Sequence, residues 1–81
     1  MNHYHRGEII RMCNKWGVCI DDCLPPLIDW LNNDGTWYQK RWYDTVMFVV
    51  SHDSIGIPDE VLARATAYKL VDTFNEPDTK D

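Results

Sequence analysis

Eighty-one residues, 44% of them apolar, carrying a formal net charge of −5, make a single small globular domain and exclude a disordered chain. No apolar run approaches the ~20 residues that a membrane-spanning helix needs, and the N-terminus MNHYHRGEII lacks the basic-then-apolar layout of a secretory leader. With three cysteines, an odd number, the chain is expected to be cytoplasmic with reduced thiols.

Charge is unevenly placed. Residues 1–35 carry −2, residues 36–51 carry +1 and residues 52–81 carry −4. The acidic last third argues against general binding to a phosphate backbone, so nucleic acid is disfavoured as a partner. It suits a protein partner with a basic surface. Four Trp, four Tyr and two Phe are many for this length. At about 150–250 Å² each, they exceed what so small a core readily hides, which points to an interface.

From Arg6 to Trp16 the apolar residues Ile9, Met12, Cys13 and Trp16 recur at helical spacing. Gly17 then stands where a left-handed residue would end a helix. A second helix is expected after Asp21 or Asp22 as cap, with Pro25 and Pro26 in its first turn and Leu24, Leu27, Ile28, Trp30 and Leu31 on its apolar side. Asn32 to Gly35 ends it.

The stretch Thr36–Val50, TWYQKRWYDTVMFVV, concentrates the aromatic and branched apolar mass. Thr36 and Gln39 match a capping box. Tyr38, Trp42, Val46, Val49 and Val50 then fall on one side of a helix. The alternative is a strand within residues 42–50, since Val46, Phe48, Val49 and Val50 favour β structure. Pro58, Asp59 and Glu60 start a last helix with an arc of Ala63, Ala67, Leu70, Val71 and Phe74. These elements predict an all-α fold: a small compact bundle of three to four helices forming one domain over residues 1–75, with a flexible acidic tail at 76–81. The alternative is α+β with residues 42–50 as a strand.

Catalytic and metal constellations are weak. Cys13, Cys19 and Cys23 are spaced C-x5-C-x3-C below His3 and His5, without the paired knuckles of a structural zinc site. Buried or idle thiols explain them, and no metal or other cofactor is expected. Ser51-His52-Asp53-Ser54 contains triad residue types, but consecutive turn residues do not assemble a nucleophile, base and orienter. No Gly-rich phosphate loop, G-x-S-x-G or H-E-x-x-H occurs.

On the expected central helix Trp37, Arg41, Asp44 and Phe48 form a second stripe at i, i+4, i+7 and i+11, beside Lys40. Coverage by a neighbouring helix is the plain explanation. An exposed patch of aromatics with Arg is the functional one, because such residues dominate binding hot spots. The expectation is thus a small acidic non-enzymatic protein-binding module, of the phage or mobile-element inhibitor or regulator type, that occludes a partner surface. Two alternatives are a homodimeric interaction protein and a nucleic-acid binder using Tyr38, Lys40, Arg41, Trp42 and Tyr43.

Overall fold

The computed structural model describes residues 4–21, 25–43 and 47–78, with residues 71–78 described by backbone alone. Within them lie strands β1 (Ile9–Met12), β2 (Lys15–Asp21), β3 (Leu27–Leu31), β4 (Trp37–Arg41) and β5 (Phe48–Val50), then helix α1 (Asp59–Asp78). The strands form one antiparallel sheet in the order β4-β3-β2-β1-β5. This overturns the expected all-α bundle. Among the described residues, the three helices expected before residue 51 are strands and turns, and the strand weighed for residues 42–50 exists over Phe48–Val50.

The helical reading fails because the middle of the sheet is buried on both faces. Ile9 and Ile10 are both fully buried, one on each side, as are Val18 and Cys19. Adjacent apolar pairs of this kind erase the alternation that marks a half-exposed strand. One core gathers Tyr4, Ile10, Cys19, Ile28, Trp30 and Met47, with Trp42 packed against it. The other gathers Ile9, Val18, Val61 and Ala65, and this is the face that α1 covers.

Turn chemistry sets the register. Met12 pairs with Lys15 across a two-residue hairpin turn in which Cys13 takes a φ of 55°. Gly17 therefore does not end a helix; it lies mid-strand opposite Trp30. A Cβ there would stand 2.7 Å from the Trp30 ring and 2.9 Å from Ile28 Cγ2. The missing side chain leaves room for the indole to lie across β2. At the start of β1, Gly7 has a φ of 87°. Its amide bonds Cys19 O at 2.8 Å while the Cys19 amide bonds Glu8 O at 2.9 Å, so two residues oppose one, as in a bulge. Gly7 also meets Lys69 and the Ala65 carbonyl of α1, where a Cβ would crowd the helix.

The Asn33-Asp34-Gly35 turn joins β3 to β4 rather than two helices. Gly35 has a φ of 90°, and the Asn32 amide bonds Thr36 O at 2.7 Å. Thr36 Oγ1 donates to Asp34 Oδ1 at 2.6 Å, so it caps a turn and not a helix. Among the described residues, only α1 stands where a helix was expected. The Pro58 carbonyl accepts from the amides of Val61 and Leu62, and Asp59 and Glu60 fill the first turn. Its buried face is Val61 and Ala65, whereas the expected Ala63, Ala67 and Leu70 are exposed. The helix backbone runs past residue 75 to Asp78.

Gly17→Ala should cost about 1–3 kcal/mol by overpacking against fully buried rings. The expected result is a lower urea midpoint with an unchanged slope.

Candidate protein-binding face

Strand register places five residues in one row on the α1 side of the sheet. Leu31 pairs with Trp37, Arg11 pairs with Trp16, and Arg11 also pairs with Phe48. One step beyond the Gly17–Trp30 pair sets Trp16 beside Leu31. The row thus reads Trp37, Leu31, Trp16, Arg11, Phe48 from edge to edge. Trp16, Leu31 and Trp37 are half-buried against the core under α1, while Phe48 is 65% exposed.

Two guanidiniums lie on this row. Arg11 Cζ sits 4.2 Å from the Trp16 ring centre, and Arg64, reaching down from α1, sits 4.3 Å from that of Trp37. Each contact is worth about 0.5–1 kcal/mol at partly exposed sites. Stacking also fixes the orientation of side chains that would otherwise be mobile.

Arg64 is held from beneath by a buried carboxylate. Asp29, on β3, is fully buried. Its Oδ2 accepts from Arg64 Nε at 2.9 Å and from the Tyr68 hydroxyl at 3.0 Å. Its Oδ1 has no hydrogen-bond partner among the described residues. Burial pushes the Asp29 carboxyl above the ordinary carboxylate value, against the opposing pull of the Tyr68 hydroxyl and the Arg64 charge. Burial, then the Asp29 charge, also raises Tyr68. The trio ties α1 to the sheet and aims Arg64 over Trp37.

The expected stripe is rearranged. Trp37 and Phe48 do share a face, but that of a sheet, at opposite edges and roughly 19 Å apart at four strand spacings. Arg41 lies on the same face at the far end of β4. Its Nη1 pairs with Asp21 at 3.2 Å and donates to the Pro25 carbonyl at 3.2 Å, latching the edge strand to the β2–β3 connection. Lys40 is on the opposite face, with Nζ 5.7 Å from the Trp42 ring centre. Asp44 lies outside the described residues. Arg11 and Trp16 lie in the row and Arg64 reaches over it, although the sequence reading gave none of them a binding role and set Trp16 on the apolar side of a first helix. No local sequence pattern marks them: Arg11 and Trp16 enter the row through strand register, and Arg64 through its bond to Asp29, 35 residues away.

The 38–43 stretch does not form one surface. Tyr38 and Lys40 face away from α1, Gln39 and Arg41 toward it, and Tyr43 is 77% exposed beyond the strand. Lys15 Nζ donates to the Tyr38 hydroxyl at 2.7 Å.

Ser51 donates to the Asp53 carboxylate, and His52 Nε2 lies 2.8 Å from the Gly7 carbonyl, so that nitrogen is engaged away from the Ser51 hydroxyl. The Ser51 bond holds the Asp53 carboxyl below its ordinary value. These residues line an open cleft of about 520 Å³ with Glu8, Val49, Val50 and Lys69. Cys13 is exposed in the hairpin turn and Cys19 is buried in the face away from α1; Cys23 lies outside the described residues. Among the described residues no group of three His, Cys, Asp or Glu side chains is placed to hold a metal ion, and no helix is long and apolar enough to cross a membrane.

No protein-family model matches the chain, and comparison with curated proteins and with solved structures returned no match.

Because the folded-state value of Asp29 is raised, the native protein holds a proton there over a window in which the unfolded chain has lost it. Stability from this group therefore falls as pH rises through that window, from the ordinary carboxylate value to the raised one, and is level above it. The lowered values of Asp34 and Asp53 act in the opposite sense at lower pH, and they cancel between wild type and an Asp29 variant. Urea midpoints should show wild-type stability relative to Asp29→Asn declining with rising pH across that window.

Proposed function

We propose that this chain is a small non-enzymatic protein-binding module that covers a surface of another protein with the Phe48 end of its helix-side face. The carrying observation is Phe48 itself, 65% exposed at the end of a row that also holds Trp37, Trp16 and Arg11. Aromatic rings and arginine dominate binding hot spots. With the guanidiniums already stacked on the indoles, docking would freeze few further rotors. The net charge of −5, concentrated in residues 52–81, favours approach to a basic protein surface. Such a module acts by occlusion, as an inhibitor or regulator, and needs no cofactor.

Affinity capture from the native host tests this. Phe48→Ala should weaken capture by about 2 kcal/mol, roughly thirty-fold in Kd. Trp37→Ala should weaken it less, since that ring is already half-covered. Equal recovery of the same protein by wild type and both variants would place the contact on another surface.

A further inference from the structure

The two edges of the sheet differ. β4 carries Lys40 and Arg41, charges of the kind that keep an edge strand from pairing with another chain. β5 is Phe48-Val49-Val50, with no charge and no proline. Phe48 is 65% exposed on one face of the sheet and Val49 50% exposed on the other.

The hydrogen-bond phase shows which groups the β5 edge offers. The amide and carbonyl of Cys19 both bond toward the start of β1. Backbone groups alternate in direction along a strand, so those of Gly17 also point to β1, and those of its partner Ile10 point to β2. Ile9 and Arg11 then point to β5, where they meet Val50 and Phe48. The amide and carbonyl of Val49 are left facing away from β1, toward the side on which the described residues place no further strand.

We propose that β5 pairs antiparallel with β5 of a second copy, about a twofold axis through Val49, joining two sheets into one. This goes beyond the reading of the Phe48 face as a surface for another protein, because it concerns the backbone edge of the same strand and a second copy of this chain. An antiparallel edge is its own complement under twofold symmetry. Val49 exchanges two backbone hydrogen bonds with its mate, the two Val49 side chains meet on one face, and Phe48 lies across from Val50 of the other copy on the other. No like charges oppose one another within the paired segment. The strand is three residues long, so the contact is small and the dimer weak. Each copy carries −5, so added salt strengthens association by screening.

Sedimentation velocity from micromolar to near-millimolar protein is the test. The wild-type mass should climb from 9.5 kDa toward twice that value, and more steeply at higher salt. Val49→Pro removes an amide that makes no bond among the described residues, so it should abolish association while leaving the far-ultraviolet circular dichroism unchanged. Val49→Lys should do the same without altering the backbone, and decides the matter if the proline variant does not fold. Exchange of the Val49 amide should slow with concentration in the wild type. A wild type of constant mass, or a Val49→Lys variant that associates as well as wild type, overturns the pairing. Either result leaves the protein-binding reading to the capture experiment with Phe48→Ala, which does not depend on self-association.

Discussion

The indole of Trp30 occupies the space that a side chain at residue 17 would fill, and much of the sheet depends on that fit. Gly17 and Trp30 are direct partners in the β2–β3 pair, so the contact fixes which residues of the two strands oppose one another. A slip of one residue would turn every side chain of a strand to the wrong face. Trp42 packs edge-on against Trp30, with ring centres 5.0 Å apart and planes at 61°. The indole thus also anchors the chain where it leaves β4.

On the other face the corresponding constraint is ionic. Asp29 sits in the central part of the sheet, where an uncompensated carboxylate would be costly, and Arg64 and Tyr68 supply its partners. Both come from α1, one turn apart, so the helix can satisfy the carboxylate in one rotational setting. The same setting lays Val61 and Ala65 on Ile9 and Val18 and brings Arg64 over Trp37. Packing, charge compensation and the shape of the candidate face are therefore coupled through three side chains.

The last helix is legible in the sequence because its start depends on local chemistry: Pro58 followed by Asp59 and Glu60. The turn at Asn33-Asp34-Gly35 is legible for the same reason, though not what it connects. The strands are not. Ile9, Met12, Cys13 and Trp16 sit at helical spacing by coincidence, since residues 9–12 and 15–18 are two strands folded back on each other. In Thr36–Val50 the aromatic and branched residues suggest one continuous element. They instead serve both edges of the sheet, and only long-range pairing separates β4 from β5. Trp37 and Phe48 share a face through sheet register, at its opposite edges, and not through the stripe of a helical wheel. Arg11, Trp16 and Arg64 become visible only once strands distant in sequence lie side by side.

The order β4-β3-β2-β1-β5 gives the chain a particular history as it leaves the ribosome. The first four strands form a simple meander whose neighbours are adjacent in sequence, and it can assemble early. Until Phe48–Val50 arrives from some forty residues downstream, β1 is a border strand with Ile9 and Ile10 beside an unfilled margin. Late closure of that margin makes the nascent meander, rather than the finished molecule, the species most exposed to sticking to its neighbours.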